Sequence, residues 1–398
     1  MRVAIIADTF PPLRTSGAIQ LRDLSREFAA QGHDVNMIVA SPDIETAYEL
    51  EDYGNVQVLR LKAPRTKDIS YVRRTINEFV TPFVMQRNYQ RSPLANTKFD
   101  GVIWYSPTIF MGPFVKALKR QNGCRAYLII RDIFPQWAAD MGLMGRGIAY
   151  QLLNRVARLQ YSVADVIGVQ TPGNLPFLQS AEAGHHFASL EVLHNWLGSP
   201  ASNPCSIDIT RTTLYGCRIF VYAGNMGVAQ GMDKLLGLAR MLRDRADIGF
   251  LFVGRGSDAD RIAASVKKEG LGNVIVHDEI DPDEIPALYG QCDVGLVSLD
   301  HRHTTHNIPG KFLSYMQSGM PVLASVNCGN DLVMLIAEHG VGKVSVDPTG
   351  KDLADKALAL LDSLAADDDI GERCRVLSES MFSAVSAARQ IVAALETQ

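Results

Sequence analysis

Short apolar runs alternate with amphipathic helical stretches twice along this chain, and that repetition constrains the fold more than any other feature. In the first series, runs at 3–7, 35–39, 56–61, 101–105, 126–130 and 165–169 read as strands, with helical patterns at 19–30, 109–120 and 147–162. Leu21, Leu24 and Phe28 fall at i, i+3 and i+7, which gives the first helix one buried face. Between 196 and 210 the composition turns to Ser, Pro, Asn and Gly and the periodicity lapses, as in an interdomain linker. The pattern then restarts, with strands at 219–223, 249–253, 274–276, 294–299 and 322–325 and helices near 232–242, 257–269, 282–289 and 331–338.

Continuously apolar strands separated by helices belong to parallel sheets covered on both faces. The fold class is therefore α/β, with two Rossmann-like domains at 1–196 and 210–372. Their functional loops lie beyond the carboxyl ends of the strands, so the expected ligand site is a cleft that both domains face. A chain of 398 residues suits two cores. The last helical pattern, about 376–398, is expected to pack back on the first domain.

The formal net charge of −4 argues against general nucleic-acid binding. The six cysteines are scattered without metal-ligand spacing and read as reduced packing residues. No apolar stretch reaches the length of a membrane span and no leader pattern opens the chain, so the expected location is the cytoplasm, with peripheral membrane contact left open. His301, His303 and His306 share one loop without carboxylate or cysteine company, so no metal site is expected.

Four loops after strands of the second series are candidates for one ligand. Gly224, Asn225, Gly227, Gln230 and Gly231 lie on a glycine-rich loop that opens a helix and allows close backbone approach to phosphate. Gly254, Arg255 and Gly256 follow the next strand, and Glu279 and Ile280 lie where backbone groups can read a base edge. Ile308, Pro309, Gly310 and Lys311 lead into a helix whose N-terminal N–H groups and positive dipole end favour an anion, with Lys311 adding a full charge. A tight turn with a solvated lysine is the plainer alternative.

In the first series, Gly17 ends a stiff loop and Arg131-Asp132 directly follows a strand. Charged residues there are costly unless used or paired, so they are either a mutual pair or a substrate site. The segment 62–91 carries seven basic against two acidic side chains, interleaved with aromatic and aliphatic ones. That suits either an anionic membrane surface or a packed helix with a solvated basic face.

The stretches VAIIADTFPPLRTSGA, RDIFPQW, YAGNMGVAQGMDKLL, FVGRGSD and NIPGKFLSYMQSGMPVLAS together resemble the retaining GT-B glycosyltransferases of family four. Within that family the chain is similar to the bacterial O-antigen branch that includes N-acetyl-L-fucosaminyltransferases. The resemblance implies transfer of a sugar from a UDP-sugar to a polyprenyl-diphosphate-linked acceptor, without cofactor or metal. UDP-N-acetyl-L-fucosamine or a related N-acetylhexosamine is the expected donor.

The resemblance also implies a diphosphate site at Gly224, Gly227, Gly254, Arg255, Pro309, Gly310 and Lys311, a close approach at Gly17, and contact of Arg131 and Asp132 with the transferred sugar or the acceptor. Asn225 and Gln230 stand where most of the wider family has arginine and lysine. Ser314 and His306 stand where it has paired glutamates, which places the ribose contact on a shorter, uncharged side chain. The rival expectations are a UDP-sugar 2-epimerase of the same fold and a catalytically silent nucleotide-sugar binder.

Overall fold

A computed structural model describes residues 1–13, 15–67, 69–140, 142–179, 189–200, 203–300 and 308–397, with Val228 described by its backbone alone. His301, His303, His306 and Asn307 therefore lie outside the described residues. The chain divides into two compact units, Met1–Gly198 with Ala384–Gln398, and Ser199–Ser383.

The first unit is built on eight strands: β1 (Arg2–Ala7), β2 (Asp34–Ser41), β3 (Tyr48–Tyr53), β4 (Val56–Lys62), β5 (Gly101–Ser106), β6 (Arg125–Ile130), β7 (Val166–Val169) and β8 (Ser189–Val192). They lie in the order β3-β4-β2-β1-β5-β6-β7-β8. Every pairing is parallel except β3 with β4. Its helices are α1 (Ser16–Ala30), α2 (Tyr71–Tyr89), α3 (Gly112–Asn122), α4 (Gln136–Asp140), α5 (Ile148–Tyr161) and α6 (Leu175–Gln179).

Helix α1 starts where the Thr15 hydroxyl accepts the Ala18 N–H at 3.2 Å, and it buries Leu21, Leu24 and Phe28. One face of the sheet packs on α2, α3 and α5 through Met85, Tyr89, Phe114, Val115, Ala157 and Tyr161. The other face packs on α1 and on Ala384, Ala388, Ile391 and Leu395.

The second unit carries β9 (Arg218–Ala223), β10 (Ile248–Val253), β11 (Val274–His277), β12 (Val294–Ser298), β13 (Val322–Ser325) and β14 (Gly342–Ser345). All are parallel, in the order β11-β10-β9-β12-β13-β14. Helices α7 (Met232–Met241), α8 (Ala259–Glu269), α9 (Ile285–Tyr289), α10 (Gly310–Gln317), α11 (Asp331–His339), α12 (Leu353–Ala366) and α13 (Ile370–Met381) complete it. The last helix, α14 (Ala384–Glu396), belongs to the first unit.

Three strands were not expected, and each has a physical reason. Strand β3 is polar and exposed, an antiparallel edge whose sequence YELEDY offers no buried face. Strands β8 and β14 have four residues each and little apolar pattern. The helix expected over 376–398 is two helices. Phe382 packs edge-on against Phe312 at 6.0 Å in the second unit, while the Ala384 N–H donates to Leu197 O at 3.0 Å in the first, so the helical run breaks between them.

Strands β13 and β14 approach so closely that a methyl group on Gly342 would overlap the Val322 carbonyl oxygen, whereas Gly272 faces open space. Gly342→Ala should cost about 2 to 3 kcal/mol of unfolding free energy. Gly272→Ala should be near neutral. Urea unfolding of both variants checks this.

Candidate functional site

The four candidate loops of the second unit meet. Strand β9 ends in Tyr222-Ala223 and opens into the loop from Gly224, and α10 begins opposite it with Pro309 as its N-cap and Lys311 in the first turn. The Lys311 ammonium donates to the Tyr222 hydroxyl at 3.1 Å and lies 4.4 Å from the centre of the tyrosine ring. The Tyr222 hydroxyl in turn donates to Asn225 O at 2.6 Å. A methyl group on Gly224 would sit 3.9 Å from the lysine nitrogen, so the ammonium stands directly beside this glycine.

No carboxylate among the described residues pairs with Lys311. Burial alone pushes its pKa down to about 8. A tyrosine face and one hydroxyl offset part of the desolvation cost of an ammonium but supply no counter-charge.

The glycines of these loops serve backbone contact. Gly224 and Gly254 have φ of 134° and 148°, and a Cβ on Gly254 would overlap the Gly224 carbonyl oxygen. The Gly224 N–H donates to Val253 O at 2.9 Å and the Met226 N–H to Arg255 O at 2.8 Å. Gln230 Oε1 accepts from both the Gly227 N–H and the Asn225 side-chain amide, each at 3.1 Å.

The N–H groups of Gly224 and Gly227, expected to face a diphosphate, are therefore committed inside the loop cluster. The start of α10 differs: the N–H groups of Gly310 and Lys311 have no earlier residue of that helix to bond. Arg255 and Glu279 form an exposed ion pair at 3.0 Å, with Ile280 next along the same loop. Ile308, directly before Pro309, is buried. The Ser314 hydroxyl donates to Gly310 O at 3.3 Å, back along its own helix. Lys234, half-buried on α7, reaches Ser325 Oγ at 3.3 Å.

In the first unit, Gly17 packs against Tyr105, where a Cβ would lie 3.1 Å from the phenol oxygen. Arg131 is committed locally. Its guanidinium donates to Gln20 Oε1 at 2.6 Å and to Asn195 Oδ1. Gln170 ties the ring together, donating to Arg131 O at 2.7 Å and accepting from the Asn195 amide at 3.0 Å. Trp196 Nε1–H donates to Gln20 O at 2.7 Å. Arg131 therefore braces the chain directly before Asp132 through Gln20 and Asn195 and is not a freely solvated charge. Asp132 is exposed at the end of β6. Asp132, Arg131 and Asp8 all act electrostatically on the Tyr105 phenol, whose pKa burial raises to about 12.

Two residues escaped the sequence reading. Tyr222 lies at the end of an apolar run and reads as core, and Asp8 directly follows β1; both fall inside stretches that carry the family resemblance, yet neither was singled out. The available signal was position, since both stand at the carboxyl ends of central strands.

Residues 217–363 match the family model described as glycosyl transferases group 1. That span holds all four loops. Over 87% of this chain and 89% of its own length, WcaI of Escherichia coli (strain K12) is 23% identical, and its name assigns it as a glycosyl transferase to colanic acid biosynthesis. Sucrose-phosphate synthase from Thermosynechococcus elongatus superposes with a TM-score of 0.72 over 98% of this chain and 97% of that one, at 16% identity. Anabaena HepE, solved in complex with UDP and glucose, gives 0.68 over 99% of each chain at 14% identity. The fold is that of the GT-B glycosyltransferases, with two parallel-sheet domains.

The folded-state pKa of Lys311 lies below the unfolded value. Below pH 8 both states hold the proton and the native state bears the whole cost of the buried charge; between pH 8 and 10.5 that cost fades and stability rises. Lys311→Met should therefore raise the unfolding free energy of the ligand-free protein at pH 7 by about 2 to 3 kcal/mol. It should also remove this lysine's share of the rise toward pH 10. Urea unfolding at pH 7 and 9.5 on both proteins checks this.

Proposed function

We propose that this protein is a retaining, metal-independent glycosyltransferase of bacterial surface-polysaccharide assembly. It moves a sugar from a UDP-sugar, best matched by UDP-N-acetyl-L-fucosamine or a related N-acetylhexosamine, to a polyprenyl-diphosphate-linked acceptor. The observation that carries this reading is the Lys311 ammonium, largely desolvated on the first turn of α10 beside Gly224 and without a carboxylate partner among the described residues. A buried cation at a helix N-terminus is incomplete without an anion, and a diphosphate supplies one. Support comes from the family match over this domain, from the polysaccharide assignment in the name of WcaI, and from the UDP bound to HepE.

In this reading, negative charge grows on the diphosphate as its bond to the sugar breaks. Lys311 and the first N–H groups of α10 are already oriented toward it, so little reorganisation is required. An arriving anion also restores the lysine to its ordinary, fully protonated range. Arg255 and Glu279 lie where they can reach the nucleotide, and Ser314, on the same helix as Lys311, takes the ribose. Asp132 polarises the acceptor hydroxyl, and Arg131 holds Asp132 in place through Gln20 and Asn195.

The membrane partner rests on α2. Its second half is core, with Thr81, Pro82, Met85, Asn88 and Tyr89 buried. The first half exposes Tyr71, Val72, Ile76, Phe79 and Val80, and Phe83 continues the patch. Lys67, Arg73, Arg87 and Arg91 are exposed nearby without a carboxylate partner among the described residues. Helix α5, beyond α3 on the same side of the sheet, exposes Ile148, Leu152 and Leu159 along one stripe beside Arg155. Exposed apolar side chains ringed by cations fit an anionic bilayer surface. Among the described residues no helix is long and apolar enough to cross a membrane.

UDP should raise the melting temperature of the purified protein, and Lys311→Ala should abolish that rise. Turnover of a UDP-sugar panel, read by UDP release with and without a lipid-linked acceptor, separates a transferase from an epimerase or a silent binder. If only a GDP- or dTDP-sugar stabilises the protein, the donor assignment fails.

In liposome sedimentation, vesicles containing phosphatidylglycerol should retain the protein better than phosphatidylcholine alone, and Arg73→Gln with Arg74→Gln should weaken retention several-fold. Equal retention throughout would exclude docking through α2.

A further inference from the structure

In the first unit, β6 leads into Ile133, Phe134 and Pro135, and these residues, one flank of α5 and part of α6 enclose a pocket of about 310 Å³. Tyr150, Asn154, Arg158 and Tyr161 supply the α5 flank, at spacings of four, four and three that bring them to one side of the helix. Most polar groups here are already matched. The Tyr150 hydroxyl donates to Gln136 Oε1 at 2.7 Å, the Gln136 amide donates to Asp140 Oδ1 at 2.9 Å, and Arg146 donates to that same oxygen at 3.0 Å.

Arg158 is different. Its Nε is buried with no hydrogen-bond partner, and its guanidinium pairs with no carboxylate among the described residues. Its Nη groups also lack an acceptor but are not buried, since the residue as a whole is half-buried and lines the pocket. Asn154, one turn earlier on the same flank, leaves its side-chain amide without a partner among the described residues. No described carboxylate lines the pocket. A partly desolvated, unpaired guanidinium is costly, and an anion that meets its open Nη side offsets that cost without reaching Nε.

The surroundings narrow the anion. One available arginine matches a single negative charge, as on a phosphodiester, whereas a phosphate monoester or a diphosphate brings more. Ile133, Phe134, Phe177 and Leu178 make the walls apolar, which suits an anion carried on carbon better than a free, fully hydrated one. Helix α5 also exposes Ile148, Leu152 and Leu159, roughly a third of a turn around the helix from the pocket flank.

We propose that this pocket holds the phosphodiester headgroup of an anionic membrane phospholipid, with the Arg158 Nη–H groups donating to its phosphate oxygens and the Asn154 amide donating beside them. This rests on the membrane-surface reading above and adds to it a defined lipid site, separate from the general attraction of α2 for a charged bilayer. Arg146 stays with Asp140 at the pocket's edge, so the specific recognition falls on Arg158.

The test titrates the full-length protein with dihexanoyl phosphatidylglycerol, kept below its micelle concentration, by isothermal calorimetry. The wild-type protein should bind it saturably, dihexanoylglycerol, which lacks the phosphate, should not bind, and Arg158→Gln should weaken binding tenfold or more. Lys116→Gln, an equal loss of charge at an exposed position of α3, should change the affinity less than twofold. Because Arg158→Gln removes an unpaired charge, it should melt at or above the wild-type temperature, which separates lost binding from lost folding. Unchanged affinity in Arg158→Gln overturns the proposal. So does a wild-type protein that binds inorganic phosphate or diphosphate more tightly than the lipid, because the pocket then serves a soluble anion. If Arg158→Gln loses the monomeric lipid while vesicle retention shows no preference for phosphatidylglycerol, the pocket stands and docking through α2 fails. If vesicle retention depends on Arg73 and Arg74 but the monomeric lipid does not bind, the surface stands and the pocket fails.

Discussion

The second domain is arranged around one unbalanced charge. Lys311 is placed by the start of α10 and faces the end of β9, where Tyr222 receives it with a ring and a hydroxyl instead of a carboxylate. A carboxylate there would make a satisfied ion pair and leave little attraction for an incoming anion. The tyrosine holds the ammonium in position without neutralising it, so the protein retains a local cost that an anion would relieve. Tyr222 is itself fixed by donating to Asn225 O, so the charge, the strand end and the glycine-rich loop form one continuous hydrogen-bonded unit.

The glycines around this unit explain why the loops stay in register. Gly224 and Gly254 touch backbone to backbone, and Gly256 faces the Met226 carbonyl so closely that a Cβ could not be inserted. Two adjacent strands thus extend their parallel pairing beyond the sheet edge, through the Gly224 N–H to Val253 O and the Met226 N–H to Arg255 O. Rigidity at this edge is obtained by spending N–H groups that would otherwise face a ligand. Among the described residues, the N–H groups of Gly310 and Lys311 have no earlier partner in their own helix, and Lys311 also lies there.

Much of this was legible because apolar runs and helical periodicity repeat in two series, and a chain with that pattern has few ways to bury its strands. Gly224 and Gly254 could be singled out because glycine at the carboxyl ends of such strands has a restricted set of uses, and Lys311 because it falls at a helix start. Arg131 shows the limit. Its position announced a costly charge, but its partners, Gln20 and Asn195, stand 111 and 64 residues away and carry no local signal. The break between α13 and α14 was hidden as well, because MFSAVSA contains neither glycine nor proline. There the helix ends because Phe382 and Ala384 belong to different cores, a tertiary cause that local propensity does not contain.

The same division of labour extends to α2, where the sequence pattern of basic and aromatic residues admitted both a packed helix and a membrane-facing one. The helix is packed over its second half and exposes apolar side chains over its first. Its buried residues are Thr81, Pro82, Met85, Asn88 and Tyr89, whereas Tyr71, Val72, Ile76, Phe79 and Val80 are exposed. Glu78, which lines a pocket of the first unit and is held by Arg74, marks the boundary between these faces. An amphipathic helix normally has one wet side and one dry side. This one has a core side, a side that lines a pocket and an exposed apolar side.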